Sequence, residues 1–200
     1  MDLFDDTFVS SLPFGDPAVV DAQSVTGALI SADWNGRDPF QLSGVEPSVS
    51  AWISVRPRTG TAHLRTLHPV ATNIGRSVDL GLVRADTIDE IFSILSVPTQ
   101  RSAGTAQIVL VFSLTTGSTT SGAAGVKVTL GDAQLTAYSS GALWSSDVAA
   151  TDGTGLVLLG NGPALAFPGS NKRIVLSGAA SGFIDVRVIA DGVSLVGVPL

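Results

Sequence analysis

From residue 25 to residue 200 the chain is a succession of short alternating runs, each cut off by Gly, Pro, Asn, Asp or Ser. No other feature constrains the fold as much. A two-residue period places every second side chain on one face of a strand. Turn residues at such short intervals leave little room for long helices. The early runs are VTGALIS (25–31), PFQLSG (39–44), SAWISVR (50–56) and SVDLGLVR (77–84). The turn DWNGRD (33–38) contains Asn35-Gly36, a hairpin signal because both residues tolerate positive φ. The later runs are AQIVLVFSL (106–114), GVKVTL (125–130), LTAYSS (135–140), GLVLLG (155–160), KRIVLSG (172–178), FIDVRVIA (183–190) and GVSLVGV (192–198). The first of these is nearly continuous apolar, as in a central strand. TTGSTTSGAAG (115–125) reads as a polar, Gly-rich loop.

One segment has a different period. In ADTIDEIFSILSVP (85–98), Ile88, Ile91, Phe92 and Leu95 follow the i, i+3, i+4, i+7 spacing of one helical face. Thr87 and Glu90 fit a capping box at its start, and Pro98 lies where the helix has stopped. A helix of about three turns is expected there. Its early acids, Asp86, Asp89 and Glu90, suit the positive end of a helix dipole.

Residues 1–24 carry five acids (Asp2, Asp5, Asp6, Asp16, Asp21) and no base. They read as an extended, solvated acidic leader. Its phenylalanines, Phe4, Phe8 and Phe14, are candidates for docking onto a sandwich edge or a partner. The expected fold is therefore all-β: two tandem small β-sandwiches of transthyretin or immunoglobulin type with one short connecting α-helix. The first sandwich takes residues 25–84, the helix and linker 85–103, and the second sandwich 104–200. The boundary is expected between about residues 97 and 105.

The second half resembles the bacterial carboxypeptidase-regulatory-like family, which has a transthyretin-like (prealbumin-like) sandwich. The resemblance rests on the order of motifs over about residues 104–200. A first strand and loop lead to Gly125-Val126-Lys127-Val128. A Thr151-Asp152-Gly153-Thr154-Gly155 turn, the apolar run Gly155–Leu159 and an Asn161-Gly162-Pro163 corner follow. The first half looks like a divergent relative, with Val25-Thr26-Gly27 opening a strand and Phe40-Gln41-Leu42 before Gly44-Val45-Glu46-Pro47. Most members are exported, many of them lipoproteins or envelope modules, and the family has no general enzymatic activity. The resemblance thus implies a non-catalytic module, an extracytoplasmic location and an export signal upstream of Met1.

Composition narrows the chemistry. The formal net charge is −6 and lysine occurs only at Lys127 and Lys172. Nucleic-acid binding needs clustered bases and is not expected. Without cysteine there is no disulfide and no thiolate metal site. No apolar run reaches the roughly 18 residues needed to span a bilayer as a helix.

Candidate sites each have a structural explanation. His63 and His68, in TAHLRTLHP, fall on opposite faces of a strand, and zinc needs three or four converging ligands. They read as a polar strand edge and a turn before Pro69. Glu46 beside a turn proline and Glu90 on a helix cap do not read as a catalytic carboxylate pair. Asp33, Asn35 and Asp38, or Asp147 and Asp152, could offer oxygen ligands to calcium, but are also the ordinary residues of tight turns. Lys127 and Asp185 alternate with valines and isoleucine, so they should face outwards rather than close an isopeptide bond.

Trp34 and Trp144 fall in or beside turns, where a flat ring can bind a glycan or a protein. The uncharged segment GVSLVGVPL after Asp191 either pairs within its own sandwich or adds to a neighbour's open edge. The expected function is that of a non-catalytic structural or interaction protein in adhesion, envelope scaffolding or surface assembly. Its partner is another protein or a second copy, and no cofactor or metal is expected. The alternative is a carbohydrate-binding module that uses Trp34 and Trp144.

Overall fold

The computed structural model describes residues 2–6, 11–13, 16–23, 28–35, 42, 43, 45, 50–58, 60, 62–71, 79–95, 97, 100–141 and 143–200. Among them the chain is all-β with one short helix, and it divides into two compact units, Met1–Ile88 and Asp89–Leu200. The division falls inside the helix, upstream of the segment 97–105.

The first unit contains β1 (Asp2–Asp6), β2 (Ser11–Pro13), β3 (Ala18–Gln23), β4 (Leu29–Trp34), β5 (Ser50–Pro57), β6 (Arg65–Ala71), β7 (Asp79–Val83) and the start of α1 (Ala85–Ile94). Four antiparallel strands form one sheet in the order β6-β5-β3-β4. A second sheet has the order β2-β1-β7, with β1 antiparallel to β2 and parallel to β7. Ala18, Val20, Ala22, Trp34, Ile53, Val55 and Val70 of the first sheet share one core with Leu80 and Leu82 of β7. Leu42 and Val45 pack against it.

Two sequence expectations change here. Strand β3 lies within the segment read as a solvated leader, yet Ala18, Val20 and Ala22 are fully buried. The acidity of residues 1–24 hid a strand whose one internal acid, Asp21, is paired with Arg56 and Arg65. Likewise 65–71 is a strand through Pro69, not a polar edge ending in a turn. Its core-facing positions are Thr66, His68 and Val70, so polar side chains masked the alternation. The run expected as a strand at 39–44 lies largely outside the described residues, as do Gly36 and Asp38 of the expected turn.

Helix α1 begins at Ala85, so Thr87 is its third residue rather than its cap. The Ala85 N–H donates to Ala62 O at 2.8 Å. Asp86, clamped by Arg84, accepts the Thr87 N–H at 2.9 Å. The expected apolar face is buried at Ile88, Ile91, Phe92 and Leu95.

The second unit contains β8 (Thr105–Thr116), β9 (Thr119–Gly122), β10 (Val126–Thr129), β11 (Leu135–Ser140), β12 (Leu143–Ser145), β13 (Leu156–Pro163), β14 (Ser170–Gly178), β15 (Gly182–Val188) and β16 (Gly192–Pro199). The larger sheet runs β12-β11-β13-β8-β16, with β9 paired to the far end of β8. The smaller runs β10-β14-β15. Ile108 and Leu110 of β8 are buried, as are Val126, Val128, Ile174, Leu176, Val186 and Val188 of the smaller sheet, which makes a two-layer sandwich. Strand β8 is buried from Ala106 to Leu110 on both faces, as its continuous apolar run predicts.

Part of the expected loop at 115–125 is instead a hairpin. β8 continues to Thr116, Gly117 turns at φ 64°, and β9 returns, with Thr115 and Thr120 hydroxyls 3.1 Å apart. Threonine suits a strand despite its polarity. Strand β16 lies parallel to β8 from Val193↔Gln107 to Pro199↔Ser113, so this segment is paired within its own unit.

Candidate functional site

On the first unit's four-stranded sheet, Asp21 is 2% exposed on the face opposite the core. Register places Ser31 and Ser54 directly across from it on β4 and β5. The Ser31 hydroxyl donates to Asp21 Oδ1 at 2.7 Å, Arg65 Nη2 to Oδ2 at 2.7 Å and Arg56 Nε to Oδ2 at 3.3 Å. Arg65 Nε also donates to Ser54 Oγ at 2.6 Å. Burial pushes the Arg65 guanidinium below its usual value, the Asp21 carboxylate raises it again, and Arg56 lowers it. The carboxylate is thus enclosed by donors and acts as a structural counter-ion.

His63 forms an isolated bridge with Arg84, and His68 is buried on β6 with Nε2 2.7 Å from Gly81 O. Burial first, offset partly by that carbonyl, lowers the His68 imidazole to about 4. Among the described residues no three His, Asp or Glu side chains gather as metal ligands. Asp33 pairs with Arg58, Glu90 is exposed on α1, and Glu46 and Asp38 lie outside the described residues. Asp152 ties a turn: its Oδ1 accepts from the Thr154 hydroxyl at 2.6 Å and N–H at 2.8 Å, and its Oδ2 accepts the Gly141 N–H at 2.8 Å. The Thr154 hydroxyl, then its N–H, then the Gly141 N–H hold that carboxyl below the usual range. Asp147 donates its backbone N–H to Ser145 Oγ at 3.1 Å.

The candidate binding aromatics separate. Trp34 is a correction: it is 6% exposed, because it ends β4 on the core face instead of standing in a turn. Trp144 is partly exposed on β12, opposite Ser139, beside the exposed Leu143. Phe4 lies on β1, in register with Gly81 of its own chain. Phe8 and Phe14 lie outside the described residues.

A further surface was not legible in the sequence. On the outward face of the smaller sheet, register aligns Thr129, Val175 and Phe183 in one row across three strands. Val175 and Phe183 are more than half exposed. One flanking row pairs Lys127 with Ser177, and the other pairs Arg173 with Asp185. Lys127 and Asp185 face solvent, as their alternation predicts. Arg173 holds Asp185 through two bonds of 2.9 Å and lies 4.0 Å from the Phe183 ring centroid. That bonding raises the Arg173 guanidinium and lowers the Asp185 carboxyl. Alternation alone places Val175 and Phe183 outward; only the register shows that they adjoin.

No protein-family model and no curated protein matches the sequence. Among solved structures, the chain is similar to the crystal structure of the minor pilin of the Gram-positive pathogen Streptococcus agalactiae. The identity is 11% and the TM-score 0.29, over 95% of this chain and 84% of that one. No helix among the described residues is long and apolar enough to cross a membrane.

Proposed function

We propose that this chain is a non-catalytic, extracytoplasmic structural protein of the transthyretin-like, carboxypeptidase-regulatory type. It works by contact with another protein or with its own copies, in adhesion, envelope scaffolding or surface assembly. The observation that carries this reading is the outer face of β10-β14-β15. There Val175 and Phe183 form an exposed apolar centre, rimmed by Lys127, Arg173 and Asp185. An apolar centre with a polar rim is the composition of a protein contact. The buried polar groups support the same reading. Asp21 and Asn161 are engaged by side chains and backbone in structural roles rather than poised toward a cleft.

Light scattering over a wide concentration range, on the intact chain and on Phe183→Ser, tests the face. Association that weakens in the variant supports it. Identical concentration-independent monomers rule out self-assembly through this surface. The glycan alternative now rests on Trp144, and a glycan array probed with wild type and Trp144→Ala decides it. A signal lost in the variant would favour the carbohydrate reading.

A further inference from the structure

Both histidines of the chain lie between residues 62 and 71, along the seam with the strand that follows. The seam begins as backbone pairing. Leu64 N–H donates to Val83 O and Ala85 N–H to Ala62 O, each at 2.8 Å, with His63 opposite Arg84 between them. Beyond this point β6 and β7 belong to different sheets and share no ladder. Two side chains from the same face of β6 bridge them instead. Thr66 Oγ1 accepts the Val83 N–H at 3.0 Å and donates to Leu64 O at 3.0 Å. His68 Nε2–H donates to Gly81 O at 2.7 Å, which fixes the neutral tautomer.

Among the described residues, apolar side chains share the core side with His68. Ile53 is its register partner on β5, and Val55, Val70, Leu80 and Leu82 belong to the core on the same side. The charged residues of the adjoining elements are Arg56 on β5, Arg65 on β6, Asp79 on β7 with Arg84 just after it, and Asp2, Asp5 and Asp6 on β1. Arg56 and Arg65 are turned to the opposite face and bonded to Asp21, and Arg84 holds Asp86. Among the described side chains, burial and the Gly81 carbonyl set the balance at His68.

We infer that His68 is an acid-sensitive latch: protonation puts a charge into the apolar interior and releases β7, with β1 paired to it, from the four-stranded sheet. The second unit has no histidine and stays closed over the same pH range. The sign follows from the depressed imidazole. The released strand binds a proton near the ordinary histidine value of about 6.5, and the closed one only near about 4. The latch is therefore fully engaged above about pH 6.5 and weakens as pH falls toward about 4. Its opening constant rises close to tenfold per pH unit across that window.

Hydrogen exchange of the full chain at pH 7.5 and pH 4.5, corrected for intrinsic rates, tests this on wild type and His68→Gln. Glutamine can reach the Gly81 carbonyl with a neutral N–H and does not titrate. In wild type, amides of 79–84 should lose protection by one to two orders of magnitude at the lower pH, while 105–116 keep theirs. In His68→Gln the acid-induced loss should vanish. Equal acid loss in both proteins, or equal loss at 105–116, would overturn the latch. An NMR titration of the wild-type His68 ring is an independent check that needs no variant. Titration near the ordinary value would overturn it, and titration near about 4 supports it.

Discussion

The hydroxyl of Tyr138 on β11 accepts the Val128 N–H of β10 at 3.0 Å, so a hydrogen bond as well as packing joins the two sheets of the second unit. Tyr138 and Val128 are both buried, and the hydroxyl also faces Val128 O at 3.5 Å. Strand β10 is an edge, and Tyr138 satisfies the N–H that its sheet leaves over. Tyr138→Phe keeps the ring and removes that acceptor. It should cost about 1–3 kcal/mol in urea unfolding, the penalty for an orphaned buried donor. An unchanged midpoint and slope would show that the hydroxyl contributes nothing.

Asp21 makes a sharper test. Asp21→Asn removes the charge between Arg56 and Arg65 and leaves two guanidinium groups facing each other. The loss should be about 3 kcal/mol, the lower end for a broken buried pair, because Arg56 is still 44% exposed. Ser31→Ala removes only a neutral donor to the same carboxylate and should cost about 1 kcal/mol. Denaturant unfolding of both variants checks the ranking. Equal losses would mean that charge is not what the cluster contributes.

These two sites show what could be read in advance. Lys127 and Asp185 stand in runs whose alternation is plain, and their outward sense follows from period two; Tyr138 does not, since β11 is buried on both faces. Helix α1 is legible because Ile88, Ile91, Phe92 and Leu95 repeat on one face. Asp21, Thr66 and His68 are not legible in the same way. Each is a polar residue at a buried position, tolerated only because its partner comes from a distant strand. Arg65 reaches Asp21 across 44 residues, and Gly81 meets His68 across 13. Hydropathy sees the polar side chain but not its partner. The same limit misplaced Trp34, which sits beside turn residues in sequence yet inside the core in space.

Gly155 tests backbone conformation. It has φ +70°, and a Cβ there would collide with Phe112 O and come within 2.9 Å of Ala123 N. Both atoms are bonded backbone, since Phe112 N–H donates to Gly155 O and Ala123 N–H to Phe112 O. Gly155→Ala should therefore destabilise by more than about 2 kcal/mol, strain adding to collision. Gly131 has no atom within 4 Å of a built Cβ. Gly131→Ala should stay within about 0.5 kcal/mol of wild type. Thermal melts of the pair would check this, and a similar fall in both would overturn the steric account.

Asn161 sits at φ 55° in the irregular part of β13, where register shifts between Leu159 and Gly162. Glycine would relax that backbone. Yet the Asn161 side chain ties the segment before β8 to this strand. Its Oδ1 accepts the Ser102 N–H at 2.9 Å and the Thr105 hydroxyl at 3.2 Å, and its Nδ2 donates to Gln100 O at 3.1 Å. Gln107 Oε1 accepts the Asn161 N–H at 3.0 Å from the other side. The side-chain bonds outweigh the backbone relief, because asparagine already tolerates the left-handed region better than most residues. Asn161→Gly should thus lose about 2 kcal/mol, with faster hydrogen exchange at Ser102. Asn161→Asp keeps the acceptor but puts a carboxylate at a site 1% exposed. Its deficit should be larger at pH 7 and shrink as the pH falls and the new group protonates. A gain in stability for Asn161→Gly would mean that backbone strain, not anchoring, dominates at this corner.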